Sequence, residues 1–441
     1  MDISNKKEPL ILFLGDIALL IVSLWLALII RYFEFPTQKL FVGHLIPFSI
    51  LFAVWVFVFF VAGLYEKHTL LLKHKLPAII LKTQLTNSII AIVFFYLIPY
   101  FTITPKTNLF IYILVSFVLI LAWRMFILSS FGFKKKEKAV LIGSGKEMRE
   151  LENEVNNNPR YNLRFVSAVD LDRVSETDFK EEILDIIYAE EIFTIVIDLK
   201  HEKVEPILPH LYNLIFSKVE FIDKYKVYEE IFDKVPLSLL GYNWFLENAS
   251  SSPKIMYDLF KRFMDIWVSI ILGVLSLAIY PFVYVAIKLD DGGPMFFKQD
   301  RLGRNNKIVR ILKFRSMSLG EDPEVTKVGR FLRKSRLDEI PQLWNVLKGD
   351  LSLIGPRPEV PDLVRVYEKE IPYYDVRHLL KPGLSGWAQI YHDEHPHHSA
   401  DVSETKNKLA YDLYYLKNRS IFLDLKIALR TLQILLSRKG S

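Results

Sequence analysis

Four long apolar blocks dominate the first third of the chain: Pro9–Ile30, His44–Leu64, Ser88–Phe101 with its flanks, and Leu109–Phe131. A helix rises ~1.5 Å per residue, so each block is long enough to cross the ~30 Å hydrocarbon core of a bilayer. The third is the weakest, being interrupted by Pro99. From Lys138 to Asn248 short apolar runs alternate with polar helical stretches: Ala139–Ile142, Phe165–Val169 and Phe193–Ile197 read as buried strands, with Phe179–Ala189 and Val204–Phe216 as helices between them. Ser250-Ser251-Ser252-Pro253 marks a linker, after which come a further apolar block, Met264–Leu289, and a basic segment. The pattern predicts a membrane protein, α plus α/β, in three parts: a four-helix transmembrane bundle over residues 1–133, a Rossmann-like α/β domain over 134–248, and a third domain with a membrane helix and amphipathic helices over 249–441.

Charge orients these parts. Lys67, Lys73, Lys75 and Lys82 follow the second block, and Lys134, Lys135, Lys136 and Lys138 follow the fourth, so the positive-inside rule places both ends of the bundle in the cytoplasm. Ile266–Ile287 has basic flanks on both sides, Lys254, Lys261 and Arg262 before it and Lys298, Arg301, Arg304, Lys307 and Arg310 after it. A single crossing would expose one flank outside, whereas a helix broken near Pro281 that enters, bends and returns keeps both inside. An ordinary kinked fifth span is the alternative. The first block contains Asp16 and is not followed by a small-residue cleavage site, so it is expected to stay as an anchor.

Over 441 residues the composition is 51% hydrophobic and 14% aromatic, with a net charge of +6. Its cations crowd beside apolar blocks, which fits lipid head groups and gives no reason to invoke nucleic acid. There is no cysteine, which excludes disulfides, thiolate catalysis and cysteine-bound zinc and fits a reducing cytoplasm. Gly143-Ser144-Gly145 follows the first strand where a Rossmann turn would receive a phosphate, but Met148 occupies the third glycine position and Asp170 matches the ribose-binding acid only approximately. A structural or regulatory domain without dinucleotide is the stronger reading, and an NAD-dependent sugar-modifying enzyme the weaker.

The densest chemistry lies after residue 290. Two short runs around a Gly and Asn turn predict a hairpin ending in Lys313-Phe314-Arg315. Arg330, Arg333, Lys334 and Arg336 then precede Asp338-Glu339, ahead of a helix carrying Leu343, Trp344, Val346 and Leu347. Acids at a helix start are ordinarily dipole partners in water, which accounts for the carboxylates but not for the packed arginines. An acid pair among phosphate-binding cations suits phosphoryl transfer, one carboxylate attacking phosphorus and the other holding Mg²⁺. Gly355-Pro356-Arg357-Pro358 sets an arginine in a stiff loop that fixes its guanidinium at little entropic cost. A scaffold that only binds lipid head groups is the rival; it would tolerate loss of Asp338 and Glu339.

From Tyr257 to Leu436 the chain resembles the bacterial sugar transferases, the monotopic polyprenyl-phosphate phosphoglycosyl transferases. The matching stretches are Gly293-Pro294 with Phe297 and Gln299, Lys313-Phe314-Arg315-Ser316-Met317, Leu337-Asp338-Glu339 with Pro341-Gln342, Asn345-Val346-Leu347-Lys348-Gly349-Asp350, Gly355-Pro356-Arg357-Pro358, Lys381 to Gln389, Tyr411 to Tyr415 and Leu423 to Lys426. Four spans followed by an α/β domain resemble the large members of that family. The resemblance implies transfer of a sugar 1-phosphate from a UDP-sugar to undecaprenyl phosphate through a covalent intermediate on Asp338, with release of UMP. It implies that Glu339 binds Mg²⁺ and that Lys313, Arg333 and Arg357 surround the phosphates. It further implies the bacterial inner membrane, a catalytic domain facing the cytoplasm, and the first membrane step of exopolysaccharide, capsule or O-antigen synthesis. UDP-glucose or UDP-galactose is the expected donor, and the α/β domain could pair subunits in a homodimer. The chain departs from many relatives in carrying Leu277-Ala278 where they carry Ser-Pro, with Pro281 a turn later, and in the tract His392-Asp393-Glu394-His395-Pro396-His397-His398, which reads as a solvated loop before a transition-metal site.

Overall fold

The computed structural model of the chain describes residues 8–65, 76–97, 106–132, 136–158, 161, 163–173, 192–214, 216, 219–248, 254–320, 323–391 and 401–437. The expected linker at Ser250–Pro253, the expected helix Phe179–Ala189, the tract His392–His398, Pro99 and the lysines at 67, 73, 75, 134 and 135 lie outside the described residues. The chain divides into two compact units, residues 1–231 and 232–441.

The first unit opens with helices α1 (Glu8–Tyr32), α2 (Gln38–Val61), α3 (Leu76–Leu97) and α4 (Lys106–Gly132). All four are long and apolar enough to cross a membrane. α1 packs on α2 and α4, and α3 on the same two. Their shared core is an aromatic cluster of Phe48, Phe52, Trp55 and Tyr112, while Ile89, Phe110 and Val118 stay exposed, so the outer surface is as apolar as the inside. Polar groups turn inward instead, as a lipid surround requires. Arg124 pairs with Asp16 and donates to the Leu64 carbonyl at 2.7 Å, and Gln84 donates to Ser116 at 3.3 Å. This inversion explains why α3 begins twelve residues before the expected Ser88: Thr83, Gln84 and Asn87 are buried against the neighbouring helices, so polarity there does not mark the end of the span.

An α/β region follows, with strands β1 (Glu137–Gly143), β2 (Leu163–Asp170), β3 (Thr194–Ile197) and β4 (Glu220–Asp223) and helices α5 (Gly145–Asn157), α6 (Leu208–Leu214) and α7 (Lys224–Phe232). The sheet is parallel throughout in the order β2-β1-β3-β4. β4 is absent from the expectation because its four residues, Glu-Phe-Ile-Asp, offer too short an apolar signal. At the carboxyl ends of β1 and β3, the buried Lys224 ammonium lies 2.7 Å from Asp198, and its stem passes about 3.0 Å from where a Cβ on Gly143 would project.

The second unit starts with residues 232–248, including α8 (Tyr242–Asn248), whose Val235 and Trp244 share a core with Val364, Tyr367, Tyr374 and Leu413. Next come α9 (Ile255–Ser276) and α10 (Tyr280–Asp290), bent by 58° across Leu277–Ile279. Pro281 stands in the first turn of α10. Lacking an N–H and crowding the carbonyl one turn back, it ends the helix at Leu277, whose carbonyl accepts from Tyr280 at 3.3 Å instead. α9 is amphipathic in the reverse sense: Asp265, Ser269 and Ser276 are buried while Met256, Leu259, Phe263, Trp267 and Leu275 are exposed.

The antiparallel hairpin β5 (Phe296–Leu302) and β6 (Ile308–Phe314) turns through Asn305 and Asn306, both at positive φ. It leads to α11 (Lys327–Lys334), α12 (Gln342–Lys348), β7 (Ser352–Ile354), α13 (Pro361–Glu370), β8 (Gly383–Ser385), α14 (Trp387–Tyr391), α15 (Val402–Asn418) and α16 (Ile421–Ser437). β7 and β8 run parallel, and the chain on either side is sewn together where Gly355 donates to Ser385 at 2.8 Å and Gly383 donates to Pro356 at 2.9 Å. A Cβ on either glycine would collide with the backbone of the other strand.

Candidate active site

Asp338 and Glu339 sit in a single 3₁₀ turn, Leu337–Glu339, between α11 and α12. Thr326 caps α11 by accepting from the Gly329 N–H at 2.9 Å, and the helix ends at Lys334. Arg336 then adopts a left-handed backbone, φ 57°, which reverses the chain sharply. Leu337 and Ile340, three apart and so eclipsed on a 3₁₀ turn, pack on Val283, Ile287, Phe314 and Leu332. That anchor holds the two acids side by side.

The two carboxylates have unlike surroundings. Glu339 Oε1 accepts from Arg357 at 3.1 Å and lies 3.6 Å from the Lys313 ammonium. Burial would push this carboxyl up, but Arg357, Lys313 and Arg336 together overcome it and hold it at about 2. Asp338 is 9% exposed and makes no hydrogen bond or ion pair among the described residues. Burial, and then the charge of Glu339, push its carboxyl up to about 6 against the pull of Lys313, Arg333 and Arg357. The pair thus consists of one locked anion and one unengaged carboxylate that titrates just below neutral pH.

The cations come from three elements. Lys313 is the penultimate residue of β6, before Phe314, whose ring is buried against Tyr280 and Phe296. Arg333, in the last turn of α11, donates through Nε to Ser316 Oγ at 2.9 Å. Arg357 follows the Gly355–Gly383 crossing, and its own carbonyl accepts from Arg377 at 3.0 Å. Arg377 is almost wholly buried, 2.7 Å from Asp412, and donates to Tyr374 Oη at 2.5 Å. A buried polar network therefore sets the loop that carries Arg357.

All three cations singled out in the sequence face the acid pair. Arg315, next to Lys313 in sequence, does not: it pairs with Asp291, and its guanidinium occupies the space a Cβ on Gly293 would need. Sequence reasoning passed over Arg301 as a site residue, although strand periodicity puts Gln299, Arg301 and Lys313 on one face of the hairpin. Arg301 donates to Gln299 Oε1 at 2.8 Å and to the Pro358 carbonyl at 3.2 Å, which braces the arginine loop from the hairpin side. Glu359, 3.8 Å from Arg301, was likewise not singled out.

The other matched stretches hold the bent pair of α9 and α10. Arg262 on α9 donates to the carbonyls of Val346 and Leu347 at 2.6 and 2.7 Å, satisfying the C-terminal end of α12. Asp424 accepts from Lys261 at 2.8 Å, Tyr257 at 2.9 Å and Tyr415 at 2.7 Å. At the other end of the bent pair, Asp291 pairs with Arg315, and Asp290 accepts from the Val328 N–H at 3.0 Å.

Among the described residues no group of three or more His, Asp and Glu side chains forms a ready metal cage. Asp338 and Glu339 supply two carboxylates, and Mg²⁺ ordinarily takes only one or two from a protein, with water and phosphate completing its shell.

Residues 256–438 match the family model described as bacterial sugar transferase. A UDP-N-acetylgalactosamine-undecaprenyl-phosphate N-acetylgalactosaminephosphotransferase of Aeromonas hydrophila is 42% identical over 204 residues, which are 44% of this chain and 47% of that protein. An uncharacterized sugar transferase of Bacillus subtilis is 39% identical over 190 residues, 41% of this chain and 89% of that one. A UDP-glucose:undecaprenyl-phosphate glucose-1-phosphate transferase of Caulobacter vibrioides is 37% identical over 196 residues, 42% of this chain and 73% of that one. The chain spans about half the length of the Aeromonas relative, and the family match at residues 256–438 falls in the second compact unit.

Proposed function

The chain belongs to the bacterial sugar transferases, and we propose that it moves a hexose 1-phosphate from a UDP-sugar to undecaprenyl phosphate, the first membrane step in building a surface polysaccharide. The observation that carries this reading is the inequality of the two acids. An oxygen of Asp338 attacks the phosphorus that bears the sugar, forming an acyl phosphate as the bond to the UMP oxygen breaks, and UMP leaves with that electron pair. The phosphate of undecaprenyl phosphate then attacks the same phosphorus, the bond to Asp338 breaks, and the carboxylate is restored. Lys313, Arg333 and Arg357 draw the negative phosphates toward the acids and balance charge on the transferring group. Mg²⁺ bound at Glu339 would neutralise phosphate charge further.

Re-entry of α9 and α10 is part of this proposal. Its support is that the N-terminal half of α9 and the C-terminal end of α10 both bond to the same unit, through Lys261–Asp424 and Arg262 at one end and Asp291–Arg315 at the other. A single straight crossing would carry these ends to opposite faces of a ~30 Å layer. The basic flanks support a catalytic unit on the cytoplasmic face of the inner membrane. The parallel sheet of the α/β region supports a Rossmann-like reading, and the Lys224–Asp198 pair packed beside Gly143 favours a structural role over dinucleotide binding.

The test is release of UMP by purified protein given undecaprenyl phosphate and a panel of donors: UDP-glucose, UDP-galactose and UDP-N-acetylgalactosamine. Release with at least one donor that depends on Asp338 is expected. No release with any, from folded protein in lipid, would refute the reading.

A further inference from the structure

At the opposite end of α12 from the acid pair lies a cavity of about 160 Å³ between α9, β7 and the segment around Lys381. One water needs on the order of 10–15 Å³ of such space, so a phosphate group fits comfortably. Its walls are rich in cations with unequal commitments. Lys261 is paired with Asp424 at 2.8 Å and Arg419 with Asp258 at 3.6 Å. That leaves Arg262, Arg304 and Lys381 near two carboxylates, Asp265, which already accepts from the Leu353 N–H at 3.0 Å, and Asp350, which pairs with Lys348 at 3.4 Å. Arg262 and Arg304 spend hydrogen bonds on carbonyls, but Lys381 has no ion-pair partner among the described residues. Burial first, then Arg262 and Arg304, push the Lys381 ammonium down from its ordinary range against the opposing pull of Asp265 and Asp350. A second observation is independent of charge. Ser352, 1% exposed, lines the same cavity, and its hydroxyl has no hydrogen-bond partner.

The place of the cavity narrows the ligand. Tyr257, Lys261, Arg262 and Asp265 supply its α9 wall, while the other face of that helix exposes Phe260, Phe263, Met264 and Trp267. A group seated there has water-facing cations on one side and a lipid-facing helix on the other. The geometry points to a phosphate-binding site distinct from the catalytic carboxylates, which takes the head-group phosphate of an anionic glycerophospholipid. Lys381, Arg304 and Ser352 donate to the phosphate oxygens, Arg262 adds charge, and the acyl chains lie along the apolar face of α9.

Native mass spectrometry of the full chain from detergent tests this, with phosphatidylglycerol, phosphatidylcholine or inorganic phosphate added in turn. The wild type should keep one phosphatidylglycerol under conditions that strip phosphatidylcholine. Lys381→Gln should weaken retention by at least about tenfold, the scale of one lost charge-assisted hydrogen bond, and Ser352→Ala by less. Asp338→Asn should retain the lipid as the wild type does. Displacement of the lipid by millimolar phosphate would support the site and show that it reads the phosphate rather than the glycerol. Equal retention of both lipids by the wild type, or undiminished retention by Lys381→Gln and Ser352→Ala, would overturn it. Matching melting temperatures serve as the folding control, and Ser352→Ala decides alone if Lys381→Gln does not fold.

Discussion

The guanidinium of Arg357 lies 3.1 Å from Glu339, whereas Asp338, one residue earlier, has no partner among the described residues. Two neighbouring acids are thereby given different work, and their titration should report it. Asp338 is pushed up to about 6, first by burial and then by Glu339. A nucleophile must be anionic, so UMP release should rise with pH through an inflection near 6 and level off above it. Stability should move the other way. The folded Asp338 holds its proton to higher pH than an unfolded aspartate, so its contribution declines as pH rises from about 4 to about 6. Glu339, held at about 2, stabilises above its unfolded value near 4.5 and loses that contribution as pH falls toward 2. A pH–rate profile flat between about 5 and 7 would exclude a raised Asp338 as the group that attacks.

Incubation with a radiolabelled UDP-sugar and no lipid acceptor should leave the sugar phosphate on the wild-type protein and none on Asp338→Asn. An amide is a poor nucleophile toward phosphorus, yet asparagine caps helices about as well as aspartate. Wild-type label on Asp338→Asn would therefore reduce this residue to a local structural role.

Replacing Arg357 with alanine should lower turnover by about 10²–10³, the range for removing one preorganised charge-stabilising donor. Arg357→Lys should recover only part of this, because a point charge replaces a two-pronged donor. Full recovery with lysine, read from UMP-release kinetics, would show that only charge matters there.

Chelation of Mg²⁺ should stop turnover, since Glu339 alone adds negative charge beside the phosphates. Replacing His392, His395, His397 and His398 together with alanine should have only a partial effect. The decisive comparison is EDTA treatment followed by back-titration with Mg²⁺: undiminished UMP release in excess chelator removes the metal from the reaction.

Single cysteines at Lys307 and Asp258, in a chain that has none of its own, should be labelled by a membrane-impermeant thiol reagent only from the cytoplasmic side. Labelling at Lys307 from outside would mean that α9 and α10 make a full crossing.

The acid pair and the loop arginine were legible because their signals are local: Asp338 and Glu339 adjoin their cations in sequence, and prolines flank Arg357. What could not be read depends on partners far along the chain. Arg377 meets Asp412 across 35 residues, and Arg301 reaches the Pro358 carbonyl across 57, and neither separation has a periodic signature. The four spans were visible as apolar blocks, but the start of α3 was not, because hydropathy cannot tell a buried Gln84 from a solvated one.

The grip of Arg262 on the last carbonyls of α12 has a consequence for the carrier lipid. That seven-residue helix is a strut ~10 Å long, with α9 clamped at one end and the turn that carries Asp338 at the other. With α9 in the bilayer as proposed, the height of Asp338 above the hydrocarbon would be fixed like the needle of a record player while the protein drifts in two dimensions. Under the proposed mechanism only a head group that stands at that height would meet the intermediate, and the site would gauge the depth of its acceptor rather than the length of a prenyl tail.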